Sequence, residues 1–128
     1  FNTHLDHMGE LAKTNGIQLI HSKIATLNTQ KYPVFFMGDF NSKPKEERII
    51  SLKKDMLDTR EISQEKPFGP SGTFNGFKQN EPVTECIDYI FISKNSNFKV
   101  KKYAVLSDSK DLKYPSDHLP VYIELVIK

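Results

Sequence analysis

Cysteine is nearly absent from this chain: of 128 residues, only Cys86 carries a thiol. A single cysteine closes no internal disulfide and builds no thiolate zinc site. Arginine is scarce too, represented by Arg48 and Arg60 alone. A forked, bidentate phosphate clamp therefore has little material, and the positive charge is mostly lysine. The net charge of +2 is weak for a dedicated DNA-binding module, which carries a denser basic face. No apolar run approaches the ~20 residues of a membrane-spanning helix. A leading methionine and a signal peptide are also missing. Phe1 opens directly into a strand-like run, which reads as a cut or processed start and leaves the compartment open.

What is present suits one globular domain. Nine Phe and five Tyr supply bulky core material, against 27% charged residues, so disorder is excluded. Residues 1–5 read as a short strand. A helix follows from Asp6 or His7 to Leu27, capped by Asp6, with Ile17, Ile20, Ile24 and Leu27 at helical spacing and Gly16 as its weak point. Val34–Met37 is a continuous apolar run, the pattern of a strand buried on both faces. Gly38-Asp39-Phe40-Asn41 breaks it, and a second helix is expected from Pro44 through Leu52. Residues 63–82 form a long Ser/Gly/Pro/Asn-rich loop with an extended piece at Thr73-Phe74. Strands are expected at 87–92 and 98–106, joined by a hairpin turn over 93–97, and at 119–127 after a polar loop. This order predicts an α/β fold with a mixed, mostly antiparallel sheet and helices on one face.

The informative residues are polar groups in unexpected places. Asp39 follows a fully apolar strand. Asp88 lies inside Ile87-Asp88-Tyr89-Ile90-Phe91-Ile92, where an unpartnered carboxylate is expensive to bury. Asp117-His118 immediately precedes the last strand, and His4 ends the first. Strand ends are where layered α/β proteins bind ligands. Each position alone has an ordinary reading. Asp39 suits a plain turn, Asp88 a solvent-facing strand position, and His4 and His118 a structural imidazole. Thr73 and Asn75 are common loop residues, His7 and His21 read as surface or structural, and Lys99, Lys101 and Lys102 read as a solvated strand edge. The functional reading rests on the combination.

That combination resembles a known family. Asn2-Thr3-His4-Leu5, Gly38-Asp39-Phe40-Asn41, Thr73-Phe74, Ile87-Asp88-Tyr89-Ile90-Phe91 and Ser116-Asp117-His118-Leu119-Pro120-Val121 occur in the order of the C-terminal signature series of the endonuclease/exonuclease/phosphatase (DNase I-like) superfamily. The resemblance covers essentially the whole chain. It implies half of a four-layer α/β sandwich, residues 1–128 being the C-terminal portion of one domain. It also implies an N-terminal half bearing an Asn and the principal metal-binding Glu, neither present here.

The resemblance further implies metal-dependent hydrolysis of a phosphodiester or phosphomonoester by in-line attack of water, with nucleic acid, phosphoinositide or phospholipid headgroup as candidate substrates. By the same resemblance, Asp39 orients or deprotonates the water, Asn41 donates to the phosphoryl group, and His118 contacts a nonbridging oxygen. Asp88 partners His118, His4 assists phosphate binding or the leaving group, and Thr73 supports the site. Asp117 and Asp39 are the implied metal contacts, and Asp6 and His7 are candidates to extend the site. An oxygen-rich ligand set suits Mg²⁺, with Mn²⁺ as the substitute. The alternatives are a catalytically incomplete fragment and a nucleic-acid- or lipid-binding module without activity of its own. A partner is expected on the apolar face of strands 34–37, 87–92 and 119–127: the other half or a second copy.

Overall fold

Residues 1–127 are described in a computed structural model. The first five elements are β1 (Asn2–His4), α1 (Glu10–Leu27), β2 (Phe35–Asp39), α2 (Glu47–Asp55) and β3 (Met56–Asp58). Three further strands follow: β4 (Asp88–Ser93), β5 (Phe98–Val105) and β6 (Val121–Ile127). β1, β2, β4 and β3 form one mixed sheet in that order, with β1 parallel to β2 and the remaining pairs antiparallel. β5 and β6 pair with each other in a separate antiparallel ladder. The chain is α/β, with two helices and two sheets, as half of a DNase I-like sandwich requires. No described helix is long and apolar enough to cross a membrane.

Strand alternation divides the first sheet into two faces. Phe36, Tyr89 and Phe91 point to the helix side, where they pack with Phe40, Ile17, Ile49 and Leu52 into the main core. The ring centroids of Phe40 lie 4.8 Å from Phe36, 5.4 Å from Tyr89 and 5.5 Å from Phe91. Phe35, Met37 and Ile90 occupy the opposite face and are only partly covered. A second, smaller core joins Val83, Tyr103, Val105 and Leu119 beneath the β5–β6 ladder.

Several boundaries differ from the sequence reading, each for a physical reason. The expected hairpin over 93–97 is not one: β4 already has β2 on one side and β3 on the other, so β5 finds no free edge there. The chain turns at Ser93–Ser96 and enters the other sheet, where β5 pairs with β6. The last strand therefore does not share a sheet with 34–37 and 87–92. It also starts at Val121 rather than 119, after Pro120, which has no N–H to offer a ladder. Helix α1 starts at Glu10 rather than Asp6 or His7, because the Asp6 carboxylate accepts the Met8 and Gly9 amides at 2.6 and 2.7 Å in a turn before the helix. α2 begins at Glu47, past Pro44, which sits in the preceding turn. β3 was not foreseen, since α2 runs into it without a break residue. Gly16 lies mid-helix where a Cβ would stand 3.0 Å from Leu5 Cδ2. Its cost in helix propensity goes with close approach of α1 to the sheet.

Candidate active site

The end of β1, the end of β2 and the start of β4 meet at one corner of the first sheet. Register places His4 opposite Asp39, and Asp39 opposite Asp88. Residues directly opposite project to the same face, so three polar side chains stand in a row on the face away from the helices. Two adjacent carboxylates repel, and imidazoles relieve that repulsion. His4 Nε2 lies 3.2 Å and His118 Nε2 3.7 Å from Asp39 Oδ2. On its other side, His118 Nδ1 lies 2.9 Å from Asp88 Oδ2. The Phe74 ring stands edge-on to the imidazole, 5.0 Å between centroids. His118 thus bridges the two acids, while His4 is largely exposed.

The electrostatics follow from that geometry. Burial pushes the Asp39 carboxyl above the usual carboxylate range; the Asn41 amide and both imidazoles oppose this, while neighbouring Asp88 adds to it. For His118, burial works against the cation. The hydrogen bond and charge of Asp88, with help from Asp39 and Asp117, outweigh it and hold the imidazole above its ordinary value. The corner therefore pairs a carboxylate of increased basicity with an imidazole biased toward its cation.

Backbone features fix the corner. Gly38 has φ +132°, and a Cβ there would fall 1.9 Å from the Thr3 carbonyl oxygen, so only glycine lets β1 lie this close to β2. Phe40 is fully buried and anchors the turn that leaves Asp39 and Asn41 at the surface end. Asn41 adopts φ +43°; its amide N–H donates to Asp39 Oδ1 at 2.8 Å, and its side-chain Nδ2 donates to the Leu5 carbonyl at 2.8 Å and more loosely to Asp39 Oδ2 at 3.4 Å. Thr73 is fully buried; its Oγ1 accepts the amides of Ile87 and Asp88, both at 3.1 Å, and its carbonyl accepts the Leu119 amide at 2.7 Å. One threonine thus ties together the segments carrying Asp88 and His118. Asn75 holds the same loop through the Ser116 carbonyl at 3.0 Å and the Asp117 carbonyl at 2.8 Å.

His4, Asp39, Asn41, Asp88 and His118 are thus brought together. Asp117 lies beside His118, and its Oδ1 accepts the Ser116 hydroxyl at 3.4 Å. Asp6 is engaged in its turn, His7 is exposed, and His21 pairs with Asp55 at 3.9 Å in the cleft between the two helices. Lys13, a helix residue that carries little weight in the sequence, is 5% exposed and reaches the Asn41 carbonyl. Its signal was available: a lysine continuing the apolar stripe of Ile17, Ile20 and Ile24.

Among the described residues, Asp39, Asp88 and His118 form one group whose ligand atoms all lie within 4.8 Å of one another. Mg²⁺ and Mn²⁺ favour oxygen donors. Asp88 Oδ2 is engaged with His118, Asp39 Oδ1 with the Asn41 amide and Asp39 Oδ2 with the two imidazoles, so a cation here would share Asp39 Oδ2 with them and take the Asp117 carboxylate as its neighbour. The donor chemistry fits such a cation, and the number of oxygens falls short of its usual six.

Comparison with known proteins shows the family of the chain. The profile of the Endonuclease/Exonuclease/phosphatase family matches residues 4–118, and the chain belongs to that family. A functionally unknown conserved protein of Enterococcus faecalis is 33% identical, with TM-score 0.86 over 99% of this chain and 49% of that one. A mannosyl-6-phosphatase of Bacteroides thetaiotaomicron is also 33% identical, with TM-score 0.87 over 99% of this chain and 50% of that one. The human Nocturnin catalytic domain, in a structure with bound sulfate anion, shares the fold at 22% identity and TM-score 0.71, over 99% of this chain and 46% of that one. The chain spans about half the length of these structures. Among curated proteins no match is found.

Proposed function

We propose that this chain is the C-terminal portion of a single domain that hydrolyses a phosphoester with the help of a divalent cation. The carrying observation is Asp39 Oδ2 set between two imidazole nitrogens, one of them fixed by Asp88. Hydrolysis needs a base for water, positive donors at the phosphoryl oxygens and a proton for the leaving oxygen. Asp39, with its raised basicity, orients and deprotonates the water. The new O–P bond forms as the bond to the leaving oxygen breaks in line, and the water's proton passes to Asp39. Cationic His118 donates to a nonbridging oxygen through Nε2, while Asp88 holds Nδ1 and so fixes the tautomer. Asn41 exchanges its loose 3.4 Å contact with Asp39 for a phosphoryl oxygen. Exposed His4 is the donor nearest solvent and supplies the proton to the leaving group.

Asp39 and Asp117 would hold Mg²⁺ or Mn²⁺, with further oxygen ligands from the remainder of the domain. Such a cation supplies charge neutralisation at the phosphoryl group. The half-covered face of Phe35, Met37 and Ile90 is where that remainder docks, a second copy of this chain being the other occupant to test. A relative acting as a mannosyl-6-phosphatase favours a sugar phosphomonoester as the substrate; nucleic acid and phospholipid headgroups are the competing classes. In the complete protein, Asp39→Ala should lower hydrolysis of sugar 6-phosphates and of a generic aryl phosphodiester by roughly 10²-fold or more. EDTA should abolish turnover and Mg²⁺ restore it. Turnover that survives both EDTA and Asp39→Ala would eliminate the mechanism.

A further inference from the structure

Lysine is rarely buried without a partner, and Lys13 is the buried lysine among the described residues. Its ammonium lies behind the corner, on the helix side. Nζ donates to the Asn41 carbonyl at 3.3 Å and pairs with Glu10 Oε1 at 2.5 Å. Glu10 uses its other oxygen, Oε2, to hold Arg48 Nη2. Arg48 in turn pairs through Nη2 with Glu46 Oε2 at 2.5 Å and donates through Nη1 to the Glu10 carbonyl at 3.0 Å. Glu46 closes the circuit, its Oε1 accepting the Lys43 amide at 2.7 Å.

The circuit begins at Asn41 and ends at Lys43 and Glu46. Both ends of the segment linking Asp39 to α2 are therefore fastened to the first turn of α1 by charged groups. The segment holds Asn41 at φ +43°, a left-handed conformation that asparagine tolerates better than other residues with a Cβ. That conformation aims the Asn41 amide at Asp39 Oδ1. Little of this circuit faces solvent at its centre: the side chains of Lys13 and Arg48 are 6% and 9% exposed.

We propose that Lys13, braced by Glu10 and Arg48, is a positioning residue that holds the Asp39–Asn41 turn in its reactive geometry. Lys13 does not touch substrate, since Asn41 separates it from the carboxylate row. The inference builds on the reading of Asp39 as the base, because its effect on rate passes through that residue. Displacing a reacting group by about an ångström costs up to ~10²-fold in rate without a matching loss of affinity. Losing the brace should therefore act on kcat and spare KM.

The test uses the complete protein, with aryl phosphate as probe. Lys13→Met should lower kcat by roughly 10-fold or more while KM stays within about twofold, and Lys13→Arg should restore most of the rate. Hydrogen exchange at the Asn41 amide, bonded to Asp39, should accelerate in Lys13→Met while the amides of β2 and β4 keep their protection. If Lys13→Met does not fold, Glu10→Gln carries the test, because it removes the brace from an exposed position and should show the same split. An unchanged kcat in a folded Lys13→Met, or a loss that Lys13→Arg fails to repair, would overturn the proposal. If the wild-type protein hydrolyses no phosphoester, the reading of Asp39 fails on its own. The exchange experiment then still decides the brace, and unchanged Asn41 protection would refute it.

Discussion

Two acids sit inside apolar strands of this chain, and their surroundings make them different objects. Asp88 lies in Ile87-Asp88-Tyr89 and Glu124 in Ile123-Glu124-Leu125, so in sequence they look alike. Asp88 stands opposite Asp39 across the ladder and reaches one imidazole at 2.9 Å. Glu124 stands where β5 shifts register between Val100 and Lys102, so two lysines face it, with Lys101 at 3.0 Å and Lys102 at 3.2 Å. The irregularity gives Glu124 a surplus of positive charge at the surface. The regular register gives Asp88 a second negative charge beside it, half-buried. A carboxylate with ample counter-charge in water contributes little. A carboxylate pair sharing one imidazole stores electrostatic tension that a bound cation can relieve. The difference lies in what register places opposite each acid, not in the acids.

The sharpest test of that contrast is activity. In the complete protein, His118→Ala should reduce phosphoester hydrolysis by roughly 10²-fold or more, whereas Glu124→Ala should leave it unchanged. Equal losses in both would erase the distinction. A smaller effect is expected at Asp88 itself. Asp88→Asn keeps the shape and removes the charge that holds His118 up, so the imidazole should titrate lower, read by NMR in EDTA, and the rate should fall by about 10-fold. The linked stability has a definite sign. The folded-state value of His118 is raised, so the pair's contribution is fully present below the unfolded value near 6.5. It is lost as pH rises through the elevated folded value. At pH 6, Asp88→Asn should cost about 1 kcal/mol, the range for a charged hydrogen bond that water partly screens. The cost should shrink toward alkaline pH. A cost that grows with pH would show that the imidazole is neutral in the folded protein.

Local pattern carried much of this molecule, and non-local competition decided the rest. The 3.6-residue recurrence of Ile17, Ile20 and Ile24 gave α1, and the apolar runs around Phe36 and Phe91 gave the two central strands. Asp88 drew notice because an acid costs free energy inside such a run. The hairpin over 93–97 failed because a turn signal cannot reveal that β3 already occupies the edge of β4. β3 itself has three residues and emerges from α2 with no punctuation, too short for any periodicity to register. The start of α1 lies beyond Asp6 because an aspartate before a helix can cap it or close the turn ahead of it, and here its carboxylate does the second. Lys13 was legible in principle: a charged residue on an otherwise apolar stripe asks for a partner, and only the folded chain shows that the partner is a carbonyl beside Asp39.

The smallest effect belongs to the other acid. Hydrogen bonds and charge from Lys101 and Lys102 hold the Glu124 carboxyl below its ordinary range. Its folded value is depressed, so whatever stability it contributes is present above the unfolded value near 4.3 and fades as pH falls through the depressed folded value. This window lies on the acid side, opposite to that of His118. Glu124→Gln should therefore give a small drop in thermal midpoint at neutral pH and low salt, and none once pH is low enough to protonate the wild-type carboxyl. Concentrated salt should also remove the difference, because the three groups are partly exposed and a Debye length of ~3 Å at 1 M screens their attraction. More of the Asp88→Asn difference should survive the same salt, since Asp88 and His118 are less exposed than Glu124 and its lysines and Phe74 covers one side of the imidazole. Thermal melts of both variants at low and high salt would separate the two acids. A Glu124→Gln difference that resists salt would mean that the ladder's surface pair is more enclosed than the strand-end site.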